Sequence, residues 1–455
     1  MITEIEIGGY RLLDEFKADF TPLTVVIGAN SVGKSTLIDC LQLISECCEV
    51  PLNTAIGWHY GAASMLSSGN ANKQLTWRAT FRNPDAWDVL PLKVGESLVY
   101  EVTLEADPHG QIHPQYEVLR TQSPRRGYSN PLKFLEVTPY RRQIFDKKQR
   151  QLVSFDEMQS EADVVRESGS PESVDPIGSP QATQQEAALL LSQIRFFNEF
   201  PEPSSARFLL ANMAFYPGFD VTRSSSLRTK AADIVPVSTL SANGDNLGTV
   251  LHEVLNRFKY RSTADELRDF LRTAYPAFED IHCETTYGAP QVLVGVREKG
   301  MSRPKYPMDL SDGMLRFLCL AAALLNPAAP PLVAIDEPEL GLHPAVLPVV
   351  AEMIKTAAER TQVLVTTHSP DLLNCFDIAD VAVMARNEDD AKVSWHRPAN
   401  RKTLVEMLNN VTEDTLGDLH RSGELEAGAW RFGSLLKEGQ TFPHLTLCTA
   451  VGSKN

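Results

Sequence analysis

The chain has 455 residues and a formal net charge of −15. This length allows two or three domains, and the acidic balance argues against a surface that binds nucleic acid all over. Seven cysteines occur without a C-x-x-C pair, which indicates neither a disulfide framework nor a zinc site. The N-terminus has no basic segment, and no run of about 18 uncharged apolar residues occurs. We therefore expect a cytoplasmic protein with no membrane partner.

The first elements along the chain read as strands at residues 2–10 and 16–20, followed by an apolar strand at 23–27. Residues 28–35 then read Gly-Ala-Asn-Ser-Val-Gly-Lys-Ser, and apolar residues at helical spacing follow. Strand, loop and helix in this order are the context that a phosphate-binding loop requires. An ordinary glycine turn would match the four fixed positions by chance in only about 1–3% of chains of average composition.

The chemistry of this loop predicts bound ATP and Mg²⁺. Gly28 and Gly33 let successive backbone N–H groups point at an anion, and the following helix adds its positive N-terminal end. Lys34 would reach the β- and γ-phosphates, and Ser35 would offer its hydroxyl to Mg²⁺. The ATP contacts predicted within this segment are Gly28, Ala29, Asn30, Ser31, Val32, Gly33, Lys34, Ser35 and Thr36.

The middle of the chain changes from β to polar and then to helical patterns. Short alternating runs from residue 75 to about 151 predict antiparallel strands. Residues 156–186 are rich in Ser, Glu, Pro and Gln and predict an exposed, mobile loop. Helical patterns resume at 187–194, and further helices are predicted at 245–260 and 264–275.

Two polar stretches carry basic residues that could meet phosphate. In the first, between residues 125 and 150, contact with DNA and a solvated, turn-rich β region are both open interpretations. The second, at 222–230, offers Arg223, Arg228 and Lys230 but is interpreted as an exposed linker. The basic residues of the first stretch are Arg125, Arg126, Arg141, Arg142, Lys147, Lys148 and Arg150.

The C-terminal half places acids and a histidine at strand ends. An apolar strand at 331–335 ends in Asp336 and Glu337. Asp336 would hold Mg²⁺ through water, and Glu337 would act as the base or orient the attacking water. The alternative is a pair of acids that only solvates a strand end. A further strand at 363–367 is followed directly by His368.

These motifs, in their order, resemble those of a known family. The phosphate-binding loop, Leu-Ser-Asp-Gly at 310–313, Ile-Asp-Glu-Pro-Glu-Leu-Gly-Leu-His-Pro at 335–344 and Thr-Thr-His-Ser-Pro at 366–370 resemble ABC-type ATPases. The similarity is greatest to AAA-family ATPases related to the SMC, RecF and OLD proteins. It implies an α/β fold, a P-loop ABC-type ATPase head with a mixed sheet, an antiparallel β subdomain and a helical insertion.

On this basis we divide the chain into four parts. Residues 1–155 would form an N-terminal lobe with the P-loop and the antiparallel β subdomain. Residues 156–240 would form the mobile loop and helical insertion. Residues 241–400 would form a C-terminal lobe with the signature at 310–313, the Walker B acids Asp336 and Glu337, and the switch histidine His368. Residues 401–455 would form a helical tail.

The resemblance also implies roles for single residues. Ser311 and Gly313 match the ABC signature, which implies contact with the γ-phosphate of ATP bound by a second copy. The active site would then be complete only in a homodimer or a higher homo-oligomer. His368 matches the switch histidine, which implies a catalytic role beside Glu337 and the loop lysine.

The resemblance also bears on several other positions. Arg11, in the opening segment, is implied to contact ATP. His343 and Pro344 would belong to a loop that crosses the dimer interface, although His343 could equally be a packed helix-start residue. Asp312 stands where transporters usually carry Gly, which places an acid near the incoming γ-phosphate. The glutamine that couples the metal site to the protein has no assignment among Gln42, Gln74, Gln111 and Gln115.

The leading functional hypothesis is an ATP-hydrolysing dimeric switch that regulates a separately encoded effector, a nuclease or toxin, in bacterial anti-phage defence. The alternative is a RecF- or SMC-like DNA-repair ATPase that binds duplex DNA directly. A transporter subunit is weaker, because Lys34 and Ser311 lie too far apart in sequence for a compact head. The acids after His368, at Asp377, Asp380 and 388–390, form no Asp-x-Asp at a strand end, so we predict no nuclease within this chain.

Overall fold

The computed structural model describes residues 1–67, 70, 73–82, 96–157, 187–194, 199–235, 239–285, 290–387, 392–400, 415–422 and 425. The strands are β1 Ile2–Gly8, β2 Phe16–Asp19, β3 Leu23–Ile27, β4 Gln74–Arg82, β5 Ser97–Ala106, β6 Ile112–Thr121, β7 Lys133–Thr138, β8 Arg141–Asp146, β9 Gln151–Ser154, β10 Ala214–Tyr216, β11 Ala232–Asp233, β12 Phe278–Thr285, β13 Gln291–Glu298, β14 Leu332–Asp336, β15 Gln362–Thr366, β16 Val381–Arg386 and β17 Val393–His396.

Helices lie mainly between the later strands. They are α1 Lys34–Cys47, α2 Leu52–Trp58, α3 Ala62–Met65, α4 Leu190–Gln193, α5 Pro201–Ala211, α6 Ser226–Thr229, α7 Leu247–Asn256, α8 Arg261–Ala274, α9 Asp312–Leu324, α10 Leu347–Ala358, α11 Pro370–Leu373 and α12 Leu416–Arg421, with short 3-10 turns at Phe258–Tyr260, Pro344–Val346 and Pro398–Asn400. Among the described residues, none of these helices has both the length and the apolar character needed to cross a membrane.

A six-stranded mixed sheet forms the centre of the molecule, in the order β10-β14-β15-β3-β16-β17. Its first five strands run parallel, and β17 pairs antiparallel with β16. The N-terminal strand β3 thus lies between strands from the C-terminal half. Because parallel strands share one carboxyl edge, the segments that follow β3, β14 and β15 emerge side by side.

An eight-stranded antiparallel sheet, in the order β2-β1-β4-β5-β6-β7-β8-β9, lies beside the central sheet. Gln362 on β15 joins the two sheets through its side-chain amide. Its Oε1 accepts from the Ile2 backbone N–H at 3.0 Å, and its Nε2 donates to the Ile2 carbonyl at 2.7 Å. The amide side chain therefore fixes the position of β1 relative to the central sheet.

The central sheet separates two hydrophobic cores. On β3, Val26 packs into the core shared with α1 and the antiparallel sheet, whereas Val25 and Ile27 pack into the core shared with α9 and α10. All five residues of β3 are buried. A strand covered on both faces reads as a continuous apolar run, which is why residues 23–27 show no alternation.

The fold matches the expected α/β head with a mixed sheet, an antiparallel β subdomain and helical insertions. The predicted helices at 245–260 and 264–275 are α7 and α8, and residues 381–396 contain the antiparallel pair β16 and β17. At 187–194 only the single turn of α4 is helical. Most of the predicted mobile loop at 156–186, and of the predicted helical tail at 401–455, lies outside the described residues.

Candidate nucleotide-binding site

The turn between β3 and α1 has a backbone that only particular residues can adopt. Gly28 has φ 149° and Gly33 has φ 107°. A Cβ at Gly28 would lie 2.2 Å from the carbonyl oxygen of Met384, so a side chain there would force β16 away. Ser31 also has a positive φ, 64°. The two glycines of the motif are therefore required by the backbone, independently of any ligand.

Lys34 lies at the first position of α1 and is only 6% exposed. Its Nζ donates to the carbonyl oxygens of Gly28 at 2.8 Å and Ala29 at 3.0 Å, so the ammonium group is held over the turn. Gly33 precedes the helix and supplies no side-chain cap to its first N–H groups. An uncapped helix start beside a buried ammonium group fits the phosphates of a nucleotide.

Ser35 and Asp336 meet where α1 begins and β14 ends. The Ser35 Oγ donates to Asp336 Oδ2 at 2.8 Å, and the Thr366 hydroxyl donates to Asp336 Oδ1. The shared carboxyl edge of the parallel strands brings these groups together although they lie far apart in sequence. A hydroxyl and a carboxylate in contact are oxygen ligands of the kind that Mg²⁺ takes beside a phosphate.

Glu337 follows directly and has an unusual backbone, with φ 49°. Its N–H donates to the Thr366 carbonyl at 3.1 Å, and its Oε1 lies 3.6 Å from His368 Nε2. Burial raises the pKa of the Glu337 carboxyl, the charges of Asp336 and Glu339 raise it further, and Lys34 opposes them. The site therefore joins a carboxylate of increased basicity to a neighbouring imidazole.

Glu339 is a site residue that the sequence analysis did not single out. Its Oε1 accepts three hydrogen bonds, from the Thr367 hydroxyl at 2.6 Å and from the backbone N–H groups of His368 at 3.0 Å and Ser369 at 3.2 Å. These bonds hold the backbone that carries the histidine. The only signal in the sequence was a second acid close to Glu337, which does not say where its side chain points.

The signature segment lies on the outside of the chain. Ser311 is exposed and caps α9, its Oγ accepting from the Met314 N–H at 3.3 Å. A Cβ at Gly313 would lie 3.3 Å from the carbonyl oxygen of Gly341, so this segment packs against the turn that follows Glu337. Leu340 in that turn is 51% exposed. Among the described residues, no hydrogen bond joins Ser311 to the P-loop.

Arg11 lies on a turn beside the P-loop. Its Nη1 is 2.6 Å from Asp39 Oδ2 on α1, and its backbone N–H donates to the Met65 carbonyl at 2.7 Å. In the same turn, the Leu13 side chain lies 3.7 Å from the position that a Cβ at Gly33 would take. The predicted ATP contact of Arg11 stays a prediction.

His343 begins a helical turn, which agrees with the helix-start part of the second interpretation but not with its packing. Its Nδ1 accepts from the Ala345 N–H at 3.1 Å, and Pro344 takes the first position of the 3-10 turn. The His343 side chain is nevertheless exposed.

Gln42, one of the four glutamines considered for coupling the metal site to the protein, donates to Glu46 Oε1 at 2.8 Å within α1.

The basic stretch at 125–150 is partly neutralised by acids of the same chain. Arg125 makes two bonds to the Glu96 carboxylate, at 2.5 and 3.0 Å. Arg142 bonds Asp156 at 3.0 Å. Further cations in this region pair at 3.4–3.9 Å, namely Lys147 with Glu202 and Arg141 with Glu136. Stacking on Phe134 and Phe155 holds the guanidinium groups of Arg125 and Arg142 close to the protein.

Two family models match the chain. The first, described as "AAA ATPase domain", matches residues 1–63, which include the P-loop. The second, described as "AAA domain, putative AbiEii toxin, Type IV TA system", matches residues 177–374, which include the signature, the Walker B acids and His368.

The Old nuclease of Escherichia phage P2 is 31% identical over 114 residues, which make up 24% of this chain and 18% of that protein. The chain thus spans less than a fifth of the length of this relative. An SMC head bound to the C-terminal winged-helix domain of ScpA has a TM-score of 0.50 at 12% identity, covering 87% of this chain and 97% of that one. A second SMC head, with an extended coiled coil and bound to the C-terminal domain of ScpA from Pyrococcus furiosus, has a TM-score of 0.49 at 11% identity, covering 90% and 99%.

The chain carries AAA-type ATPase domains, matched at residues 1–63 and 177–374. The two family models divide the motifs by their position in the chain, whereas the fold brings the nucleotide-binding loop, the acids and the histidine together. The first contains the nucleotide-binding loop, and the second contains the acids, the histidine and the signature. The likeness to the first SMC head concerns the fold alone.

Proposed function

We propose that this ATPase is an ATP-dependent dimeric switch that regulates a separately encoded effector. The observation that carries the proposal is the separation of the motifs. The P-loop, Asp336, Glu337 and His368 gather at one edge of the central sheet. The signature serine lies exposed at the start of another helix, with its hydroxyl used only for capping among the described residues. Two copies facing each other would bring each signature to the other copy's nucleotide.

The residues support a division of labour during hydrolysis. Lys34 and the start of α1 would bind the phosphates, and Ser35 with Asp336 would hold Mg²⁺, which supplies neutralising charge when bound. Glu337 would accept a proton from the attacking water, because its carboxylate lies beside the His368 imidazole and burial raises its pKa. Glu339 would keep the histidine in place through its backbone.

Regulation of an effector, rather than chemistry on a second substrate, is supported by the relatives. One matched model names a type IV toxin–antitoxin system, and the relative in phage P2 is named a nuclease. The matched model covers residues 177–374, which contain the signature, Asp336, Glu337 and His368. We therefore propose a nuclease or toxin, encoded near this chain, as the effector, and bacterial anti-phage defence as the setting.

The dimer is tested with two variants. Glu337→Gln should retain ATP but lose about 10²- to 10³-fold of hydrolysis, because the amide cannot accept the proton. Light scattering with ATP and Mg²⁺ should then give twice the monomer mass for Glu337→Gln and no ATP-induced increase for Lys34→Ala. Wild-type hydrolysis by Glu337→Gln would overturn the assignment of the base, and a nucleotide-independent mass would overturn the switch.

The effector is tested by expressing the chain with and without its neighbouring gene during phage challenge. Protection should need both genes, and it should be lost when the chain carries Lys34→Ala. Protection by this chain alone, or protection that survives Lys34→Ala, would contradict regulation of a separate effector by ATP.

A further inference from the structure

Arg228 is a buried cation directly behind the signature. It lies on α6, Ser226–Thr229, within the stretch that the sequence indicated to be an exposed linker. That interpretation is wrong for Arg228, which is 7% exposed, whereas Arg223 and Lys230 are exposed as expected. Burial of a guanidinium group requires partners for its N–H donors, because an unpaired charge away from water is costly.

The guanidinium group of Arg228 joins three segments through four hydrogen bonds. Its Nε donates to the Val221 carbonyl at 2.7 Å. Its Nη1 donates to the carbonyls of Pro307 at 2.6 Å and Leu310 at 2.7 Å. Its Nη2 donates to Asp312 Oδ1 at 2.5 Å. One planar group therefore fixes the backbone on the N-terminal side of Ser311 and the side chain on its C-terminal side.

The contact with Asp312 offsets the negative charge that the sequence places beside Ser311. Asp312 stands beside the serine that would face a γ-phosphate, and its side chain is 72% exposed while that of Arg228 is 5% exposed. An unpaired carboxylate there would repel an incoming phosphate. The ion pair holds one oxygen of the exposed Asp312 carboxylate against a buried cation, beside the exposed Ser311 that caps α9.

We propose that Arg228 is a positioning residue for the signature half of the active site. It shapes the turn that carries Ser311 and neutralises Asp312, so that this turn can accept the γ-phosphate of ATP held by a second copy of the chain. The inference rests on the proposed ATP-dependent dimer. It adds that the segment around α6 controls hydrolysis in the partner's site rather than in the chain's own.

The test uses mixed dimers that contain a single working site. One protomer carries Lys34→Ala and supplies only its signature, and the other carries Ser311→Arg and supplies only its P-loop. Arg228→Met is added to either protomer in turn, and ATP hydrolysis is measured for dimers isolated with two different affinity tags. We expect hydrolysis to fall about 10-fold or more when Arg228→Met lies on the signature donor, and far less when it lies on the P-loop donor.

Controls separate this inference from the proposed function. Mixed dimers with Arg228 intact on both protomers must regain hydrolysis; if proven mixed dimers do not, the shared active site is overturned and this inference with it. If they do, equal losses in the two placements would show a structural role and overturn the inference alone. If Arg228→Met does not fold, Arg228→Lys in the same two placements decides the question, since a single ammonium group cannot make the four bonds.

A second substitution tests the electrostatic part. Adding Asp312→Asn to Arg228→Met on the signature donor removes the carboxylate that has lost its partner. We expect hydrolysis to recover by about 3-fold or more relative to Arg228→Met alone. If Asp312→Asn gives no recovery, neutralisation of Asp312 is not part of the role of Arg228.

Discussion

The P-loop region and the signature region, the two halves of the proposed composite site, differ in how much of each one chain completes. In the P-loop half, buried Lys34 is held by loop carbonyls, Ser35 contacts Asp336, and Glu337 lies beside His368. In the signature half, the buried contacts lie behind the turn, while Ser311 and the neighbouring Leu340 face outward. The first half is organised to bind a nucleotide alone, and the second is organised as a surface. This difference is what a switch operated by dimerisation needs.

The largest expected effect is a loss of ATP affinity caused by a substitution in the P-loop half. Lys34→Ala removes the ammonium group from the phosphate site and from the carbonyls of Gly28 and Ala29. We expect ATP affinity to fall about 100-fold or more, measured with a fluorescent ATP analogue, because a charge-assisted contact to phosphate is lost. Ser311→Arg is the matched control and should bind ATP like wild type when monomeric. Equal losses in both variants would contradict the comparison between the halves.

A smaller effect on ATP hydrolysis is expected from substitution of Glu339, which accepts a hydrogen bond from the His368 backbone. Glu339→Ala removes the acceptor of three hydrogen bonds and should lower kcat about 10- to 100-fold with little change in KM, since His368 would lose its position. Glu339→Gln keeps a carbonyl oxygen and should recover part of the rate. Steady-state hydrolysis by both variants checks this prediction, which fails if the Ala and Gln variants are equally impaired or if only KM changes.

Substitution of Glu117 tests whether a loss of ATP hydrolysis can be separated from a loss of folding stability. It is fully buried on β6 and accepts from the N–H groups of Leu190 at 2.7 Å and Leu191 at 2.9 Å and from the Tyr100 hydroxyl at 2.9 Å. Burial raises its pKa, which shows that the charge is costly there and limits the net loss. Glu117→Ala should lower the free energy of unfolding by about 2 kcal/mol, because three buried donors lose their acceptor.

Urea unfolding measures the stability of Glu117→Ala, and hydrolysis below its transition should match wild type. Exposed Glu279 on β12 provides the control, and Glu279→Ala should stay within about 0.5 kcal/mol of wild type. Slower ATP hydrolysis by folded Glu117→Ala would mean that the antiparallel sheet contributes to the site. The comparison between the P-loop half and the signature half would then be incomplete.

The smallest expected effect concerns DNA. Because Arg125 and Arg142 are paired with acids of the same chain, the region at 125–150 should bind duplex DNA weakly or not at all, even at low salt. A filter-binding titration in about 50 mM salt checks this. Strong binding that decreases steeply with salt, and that is lost in the combined Arg125→Ala, Arg126→Ala, Arg141→Ala and Arg142→Ala variant, would instead favour the DNA-repair alternative.

The sequence determined those features that depend on local chemistry. Glycines that the backbone requires, an apolar strand before them and a lysine after them specify the loop at 28–35, because each requirement falls within one short segment. The ends of β14 and β15 were predictable for the same reason, since a buried strand is a continuous apolar run and each of these two runs stops at polar residues. The order of these motifs was then enough to predict the ATPase head.

The tertiary structure decided which distant side chains meet. Glu339 and Arg228 act through contacts with residues about 30 and 80 positions away, and no local pattern distinguishes them from a solvated acid or a linker cation. Likewise, the basic residues at 125–150 read as a patch in sequence, whereas in the fold acids from other strands and helices neutralise part of it. Hydrogen bonds and ion pairs depend on distances of a few ångströms, and only the packing of the sheets fixes those distances.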